Sequence, residues 1–217
     1  MEKENVQIIK IIAIVAMLVD HVGLIFFPNI IIFRLIGRLA LPLYAFLIAE
    51  GMKHTSSRKK YFMRLFFIAI ISQPIYIFII DWKLNIIFGL ILGALSIYFI
   101  EKKQYLFLLI TFILPILIPT DYSIFGVILP VIFYFFDKKW VQIVFLYVIF
   151  SIMIFYYGHY MSIFHLFSLF FIYYIPFFTK KLDLKKSFLM SSYFNYFYRF
   201  FYPAHLFLLF LLKKIIF

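Results

Sequence analysis

The chain has 217 residues, of which 66% are apolar, 24% are aromatic and only 14% are charged. A soluble domain carries about a quarter charged residues, so this composition excludes an ordinary soluble protein and indicates one that lies in a lipid bilayer. The formal net charge is +12, but the basic residues form short clusters between apolar runs, which is typical of cytoplasmic loops. We therefore predict no nucleic-acid partner.

Apolar runs follow one another from end to end of the chain, with short polar breaks between them. A membrane-crossing helix needs about 20 residues, so we predict an all-α polytopic integral membrane protein, a bundle of about 8–10 transmembrane helices. The whole of 1–217 is expected to form one transmembrane domain. The predicted spans are 7–27, 30–52, 61–80, 86–100, 105–118, 123–136, 140–157 and 161–178. The last stretch, 187–217, is short for two crossings, and we expect a broken or re-entrant helix around Pro203.

The Lys and Arg residues are distributed unevenly between the two ends of the first eight predicted spans. With the amino terminus in the cytoplasm, 15 of them lie on the cytoplasmic side, and only Arg34, Arg38 and Lys83 lie on the other. Because positive residues favour the cytoplasmic side, we predict a cytoplasmic amino terminus and a multi-pass protein of the inner (cytoplasmic) cell membrane.

The first two predicted spans carry charged residues where charge is costly. Asp20 and His21 fall in the outer half of the first span, and Arg34 and Arg38 in the outer half of the second. Charges at such depths normally face a bundle interior or a wet cavity and mark a functional site. Arg34 and Arg38 share a helix face, so we expect all four side chains to meet. Asp20 is then the counter-ion of an arginine, with Arg38 as the partner to test.

A histidine beside an ion pair suits a general base that works near neutral pH, which makes His21 the candidate catalytic residue. The structural alternative is that Arg34 anchors the helix at the membrane surface and that Asp20 only balances the charge of Arg38. The four residues together favour a functional site.

The second span ends in a basic segment, KHTSSRKK. Its role as an orientation signal explains it fully. The functional alternative is a cytoplasmic phosphate site, in which Arg58 and Arg64 give bidentate contacts and the lysines give point charges. The chain contains no cysteine, which removes thiol nucleophiles and thiolate metal sites, and we predict no metal site.

Two other classes of protein stay open on these residues alone. A small transporter or channel would use the Asp/His/Arg cluster to bind an anion or a proton, although transporters usually have internal repeats and charges in paired helices. A non-catalytic membrane scaffold would leave Asp20, His21 and Arg38 without a purpose.

Several segments together resemble the TraX family, membrane proteins typified by the acetylase that modifies the amino terminus of conjugative F pilin. They are KIIAIVAMLVDHVG, FRLIGRLALPLYAFLIAEGMKHT, KYFMRLFFIAIISQPIY, NIIFGLILG and FYPAHLFLL. The resemblance spans the chain and is dense over 10–93 and 198–209. That family in turn resembles the acyltransferase type 3 enzymes, in which a basic residue, usually arginine, precedes a histidine by 11 positions on the first helix. Lys10 and His21 reproduce this spacing.

The resemblance implies an acetyl-CoA-dependent acyltransferase whose acceptor is an amine or hydroxyl of a peptide, a pilin, a glycan or another envelope polymer. The implied catalytic residues are His21, Asp20, Arg34 and Arg38. The implied acetyl-CoA-binding residues are Lys10, Glu50, His54, Arg58, Lys59, Lys60, Tyr61 and Arg64. Tyr202 and His205 are expected at the acceptor entrance. Whether His21 acts as a base or is transiently acetylated stays open, as does the oligomeric state.

Overall fold

The computed structural model describes residues 3–136, 138–157, 164–179 and 192–216. Within these residues the chain is helical, and its extended pairing is limited to an isolated bridge between Leu84 and Thr120. The helices are α1 (Lys3–Phe26), α2 (Ile31–Gly37), α3 (Ala40–His54), α4 (Arg58–Ile79), α5 (Ile86–Glu101), α6 (Tyr105–Leu117), α7 (Phe125–Phe135), α8 (Lys139–Tyr157), α9 (Phe167–Thr179) and α10 (Ser192–Ile216).

Three stretches of the described chain are long and apolar enough to cross a membrane. They are Lys3–Phe26, Ile31–His54, which joins α2 and α3, and Arg58–Ile79. Several other predicted spans correspond to shorter apolar helices, among them α5, α6 and α7. These helices indicate a membrane protein.

Helix α3 forms the centre of the structure. Leu43, Ala45 and Ala49 on this helix are fully buried, and α3 packs against α1, α5, α7 and α9. Helix α1 contacts α2, α3, α9 and α10, while α4 packs against α5 and α10. Helix α1 therefore touches both the central helix and the last described one. Of its polar residues, Asn5 and Gln7 are buried, while Lys10, Asp20 and His21 are partly buried.

The predicted span 30–52 is broken where one continuous helix was expected. Helix α2 ends at Gly37 and α3 begins at Ala40. Pro42 has no backbone N–H, so the carbonyl of Arg38 loses the donor that a continuous helix would give it. The backbone N–H of Leu39 bonds instead to the carbonyl of Ile36 at 3.1 Å, which is the tighter 3₁₀ pattern. The predicted span itself is confirmed, since Ile31–His54 as a whole is long and apolar enough to cross a membrane; only the helix within it is interrupted.

The described part of the last predicted stretch, 187–217, is continuous where a break was expected. Helix α10 runs from Ser192 to Ile216 through Pro203 without a break, so the predicted broken or re-entrant pair is wrong. Proline removes one main-chain hydrogen bond and kinks a helix, but α10 is held on both sides of Pro203 by its packing against α1 and α4. Residues 161–163, 187–191 and 217 of the predicted spans lie outside the described residues.

Candidate functional site

A cavity of about 530 Å³, here named the histidine cavity, lies at the carboxyl-terminal end of α1. Its wall combines apolar residues with charged and tyrosyl side chains from α1, α2, α4 and the loops after α4 and α6. The polar members include Asp20, His21, Arg34, Arg38, Tyr76, Asp81, Lys83, Asp121 and Tyr122. The four residues that the sequence grouped on the first two spans therefore lie around one cavity.

Asp20 pairs with Arg34 and not with Arg38. The Arg34 Nη1 atom lies 2.7 Å from Asp20 Oδ1, whereas Arg38 Nη1 donates to the hydroxyl of Tyr122, also at 2.7 Å. The expected Asp20–Arg38 pair is wrong because the Asp20 side chain lies directly against Gly37, three residues from Arg34 on the same short helix. Arg38 follows that helix and reaches the loop between α6 and α7.

The loop that receives Arg38 has an unusual backbone. Tyr122 and Ser123 have φ angles of 59° and 45°, a left-handed conformation that costs energy in residues other than glycine. Ser123 fixes it, because its N–H donates to the carbonyl of Thr120 at 3.0 Å and its hydroxyl donates to the carbonyl of Pro115 at 3.1 Å. The Nε atom of Arg38 is buried and has no hydrogen-bond partner among the described residues.

A buried clamp between α4 and α5 supports the same loop. The side-chain oxygen of Gln73 accepts hydrogen bonds from the N–H and from the side chain of Asn85, at 2.9 and 2.8 Å. The adjoining Leu84 donates to the carbonyl of Pro119 at 3.0 Å and accepts from the N–H of Asp121 at 2.8 Å. The position of Asp121 and Tyr122 therefore depends on α4 through this short connection.

Asp121 lies in the loop between the helices, with Tyr76 as a hydrogen-bond donor to its carboxyl group. Burial raises the pKa of Asp121 to about 6, against the effect of that hydrogen bond, which favours the charged form. A carboxyl group that lies in a cavity and has a pKa close to neutrality is a candidate for ligand binding or for proton transfer. Sequence reasoning missed both Asp121 and Tyr122, since neither lies in a charged apolar run.

His21 contacts a second histidine from the last described helix. Its Nδ1 atom lies 2.8 Å from Nε2 of His205, and the ring of Tyr202 approaches it edge-on at 6.4 Å. His205 and Tyr202 are only 4% and 7% exposed, and neither lines the histidine cavity. Both residues pack against His21 and lie outside the wall of the histidine cavity. Their expected position at an acceptor entrance stays a prediction.

A second cavity, of about 610 Å³ and here named the basic cavity, lies beside the amino-terminal half of α1. It carries four cationic side chains from three helices, and its carboxylate is that of Glu50. The polar residues of its wall are Lys3, Gln7, Lys10, Glu50, His54, Tyr61, Arg64, Asn195, Tyr198 and Arg199. This excess of cations fits an anion such as a phosphate.

Helix α10 closes the basic cavity. The Lys10 amine donates to the side-chain oxygen of Asn195 at 3.3 Å and lies over the ring of Tyr198 at 5.0 Å. Glu50 is held by its own helix, since Lys53 and His54 lie 3.7 and 3.6 Å from its carboxylate oxygens. The Glu50 carboxylate therefore has a cationic partner, Lys53, before any ligand binds.

The predicted acetyl-CoA residues divide into two groups. Lys10, Glu50, His54, Tyr61 and Arg64 line the basic cavity. The rest do not: Arg58 pairs with Glu101 at the end of α5, and the side chains of Lys59 and Lys60 are exposed. Sequence reasoning missed Lys3, Asn195, Tyr198 and Arg199, and the only signal for the last three was the interruption of an apolar stretch by polar residues.

The two cavities lie at different levels of the same helix pair. Lys10 and His21 are three turns apart on α1, about 16 Å along its axis, and they contact Asn195 and His205 of α10 in the same order. Helices α1 and α10 therefore run side by side in the same direction. Among the described residues, no group of three His, Asp or Glu side chains is placed to bind a metal ion.

Comparison with known proteins gives one family and two relatives. The family model described as TraX protein matches residues 5–213. A probable fimbrial assembly protein FimC, serogroup H1, of Dichelobacter nodosus is 33% identical over 142 residues, which is 58% of this chain and 58% of that protein. An uncharacterised protein of Rickettsia prowazekii (strain Madrid E) is 44% identical over 45 residues, 20% of this chain and 18% of that protein. No solved structure gives a significant match.

Proposed function

Because the chain belongs to the TraX family, we propose that it is a membrane-embedded acetyltransferase. It takes an acetyl group from cytoplasmic acetyl-CoA and transfers it to an amine or hydroxyl of a peptide, a pilin or another envelope acceptor. The observation that carries this proposal is the pair of cavities on α1, one rich in cations and one built around His21. Acceptors in pilus assembly agree with the name of the Dichelobacter nodosus relative.

In this proposal the protein crosses the inner membrane several times, with about 8–10 helices and a cytoplasmic amino terminus. The basic cavity then opens toward the cytoplasm, where acetyl-CoA is made, and the histidine cavity opens toward the outer face. The distribution of Lys and Arg along the sequence supports this orientation.

The phosphates of acetyl-CoA bind in the basic cavity, where Lys10 and Arg64 come from α1 and α4 and Arg199 from α10. Arginine gives bidentate contacts to phosphate, and lysine gives a point charge. The thioester end of the donor extends along α1 and reaches the level of His21. Arg58, Lys59 and Lys60 take no direct part, since they lie outside the cavity.

At the histidine cavity, His21 takes the proton of the acceptor amine or hydroxyl while that group attacks the thioester carbonyl carbon. The carbon–sulfur bond breaks, the thiolate leaves, and His21 returns the proton to the sulfur. Arg38 is the donor that we assign to the negative charge on the carbonyl oxygen, because its Nε has no acceptor among the described residues. The Asp20–Arg34 pair holds a second cation beside this position.

Donor binding is tested with the full chain in lipid nanodiscs by isothermal titration calorimetry with acetyl-CoA. The variant Lys10→Gln/Arg64→Gln removes two cations from the basic cavity and should weaken binding by roughly 10- to 100-fold, the effect of losing a charge-assisted hydrogen bond. The matched control Lys59→Gln/Lys60→Gln removes the same charge outside the cavity and should change the affinity by less than about threefold. Equal losses in both variants would place the donor elsewhere.

The chemical step is tested by transfer of radiolabelled acetyl groups to a peptide acceptor. His21→Gln keeps a hydrogen-bonding side chain of similar size without its basicity. We expect acetyl transfer to fall by roughly 10²–10⁴-fold, the usual effect of a lost general base, while acetyl-CoA still binds. A variant that transfers within a few-fold of the natural protein would assign His21 a structural role.

A second candidate function is a non-catalytic role in pilus assembly, which the name of the Dichelobacter nodosus relative favours. It predicts that His21→Gln assembles pili as the natural protein does and that neither protein transfers acetyl groups. Pilus counts by electron microscopy, made on the same cells as the transfer assay, separate the two functions.

A further inference from the structure

We propose that His205 is a positioning residue that fixes the tautomer of His21, so that Nε2 of His21 is the atom that takes the acceptor's proton. The involvement of His21 in acetyl transfer rests on the proposed function above. The tautomer itself follows from two hydrogen bonds, one from His205 to the carbonyl of Phe201 and one from His21 to His205. It can be measured whether or not the protein transfers acetyl groups.

The first hydrogen bond sets the state of His205. Its Nδ1 atom lies 2.8 Å from the carbonyl oxygen of Phe201, one turn earlier on α10. A carbonyl oxygen can only accept, so Nδ1 of His205 must carry the proton. A second proton, on Nε2, would make the ring cationic. His205 is only 4% exposed and lies against the rings of Phe201 and Tyr202, where an uncompensated charge is costly. Nε2 of His205 is therefore a free acceptor.

The second hydrogen bond passes this constraint to His21. The Nδ1 atom of His21 lies 2.8 Å from that acceptor, so it must be the donor and carry the proton. The two rings are tilted by only 3°, with their centroids 5.1 Å apart. Since the nitrogen atoms are much closer than the centroids, the rings meet edge to edge, with the N–H directed at the lone pair.

The remaining nitrogen of His21 is then the basic one. With Nδ1 protonated, Nε2 carries the lone pair, and no hydrogen bond reaches it from the described residues. His21 lines the histidine cavity, so this lone pair is available to a ligand there. His21 and His205 are thus arranged as a catalytic base and the group that orients it. The orienting group is the neutral imidazole of His205, where other enzymes usually have a carboxylate.

The arrangement also supports the charged state of His21 during the reaction. When Nε2 takes the acceptor's proton, the ring becomes a cation and its Nδ1–H still donates to His205, now as the stronger charge-assisted bond. The proton on Nε2 then goes to the leaving thiolate, and the proton on Nδ1 does not move. His205 neither gains nor loses a proton over the cycle.

The tautomer is tested by nitrogen NMR of the full chain in nanodiscs, with ¹⁵N-labelled histidine. Protonated and unprotonated ring nitrogens differ widely in chemical shift, and subtraction of the His21→Gln spectrum identifies the signals of His21. We expect a protonated Nδ1 and an unprotonated Nε2. An Nε2-protonated ring in the natural protein would overturn the proposal, whether or not acetyl transfer is detected.

Two substitutions at His205 test its action on catalysis. In His205→Gln the amide oxygen can still accept from Nδ1 of His21, so we expect the tautomer to persist and kcat to stay within about fivefold. In His205→Leu the acceptor is lost, and we expect both tautomers and a fall in kcat of roughly 10²-fold, with little change in KM. A single tautomer and an unchanged kcat in His205→Leu would refute the positioning role.

The packing control is Leu209→Val, one turn further along the same face of α10, where the side chain is buried. It removes one methylene group from the core, and we expect lower thermal stability with the His21 spectrum and kcat unchanged. A loss of kcat equal to that of His205→Leu would show that packing of α10 alone explains the effect. If His205→Leu does not fold, the spectrum of the natural protein still decides the proposal, because an Nε2-protonated His21 there would overturn it. If the natural protein shows the expected tautomer but transfers no acetyl groups, the proposed function is wrong and the assignment of the tautomer stands.

Discussion

Arg34 illustrates how much a single charged residue depends on its local partner. An arginine near the end of an apolar helix commonly extends its head group to the membrane surface. In this structure its guanidinium turns to Asp20, and the two side chains are 21% and 15% exposed. The pair therefore lies between an ordinary surface ion pair and a fully buried one, and it balances a charge on α1 with one on α2.

A double-mutant cycle of Asp20→Asn and Arg34→Gln measures this pair. Either single change leaves a mostly buried charge without its partner and should destabilise the protein by about 2 kcal/mol, between the surface and the buried cases. The double variant should lose less than the sum of the two. The measurement is thermal unfolding in detergent, followed by circular dichroism.

The more exposed pair of Asp81 and Lys83, whose charged atoms lie 2.9 Å apart and whose side chains are 32% and 43% exposed, provides the control. Its coupling should be below about 1 kcal/mol because solvent screens both charges. Additive effects at Asp20 and Arg34 would mean that the two charges do not stabilise each other.

At the scale of helices, the short α2 owes its position to a close approach. Gly37 has no Cβ, and one built there would overlap the carboxyl group of Asp20. The absence of a side chain lets α2 lie against α1 with Asp20 in between, one turn from Arg34. The break that follows then releases Arg38 toward Tyr122.

We predict that Gly37→Ala displaces Asp20 from Arg34 and destabilises the protein by about 1–3 kcal/mol, the usual effect of overpacking. Gly89→Ala is the matched control, because its Cβ would meet the Cα of Gly126 at an ordinary 3.6 Å. Alanine has the higher helix propensity, so the control should keep or raise the melting temperature. A Gly37→Ala protein as stable as the control would contradict the close packing.

The same elements indicate what the sequence could predict. Asp20, His21, Arg34 and Arg38 were grouped correctly because they lie on two neighbouring stretches, where helical spacing fixes which residues share a face. The pairing of Asp20 with Arg34 could not be predicted, because it depends on the interruption between α2 and α3. Pro42 and the packing of α2 against α1 together cause that interruption. The contacts of His205 and Asn195 had no local signal, since apolar helices carry little information on which neighbour they pack against. Residue Tyr122 depends on a left-handed loop held by distant carbonyl groups.

For the whole molecule, the proposed orientation makes the segment after α3 cytoplasmic and the segment after α4 external. The chain contains no cysteine, so single cysteines can be introduced without a background. Lys59, at the start of α4, and Trp82, which is 70% exposed in the loop after it, mark the two ends of one candidate span.

We expect Trp82→Cys to react with a membrane-impermeant maleimide in intact spheroplasts, and Lys59→Cys to react only after permeabilisation, since basic segments stay in the cytoplasm. Labelling is measured by gel shift. Permeabilised cells, in which both cysteines should react, control for accessibility of the sites. Labelling of Lys59→Cys in intact spheroplasts would reverse the orientation.

At each cavity, residues from near the two ends of the described chain come into contact. Lys10 meets Asn195 over a separation of 185 positions, and His21 meets His205 over 184. A ribosome adds roughly 5–20 residues per second, so α1 is in place for roughly 10–40 s before its partner helix has been made. Throughout that interval His21 lacks the group that orients it, and the basic cavity lacks one wall. Under the proposed function, the nascent chain is therefore inactive in acetyl transfer during synthesis. It becomes active only when the last described helix has packed against α1.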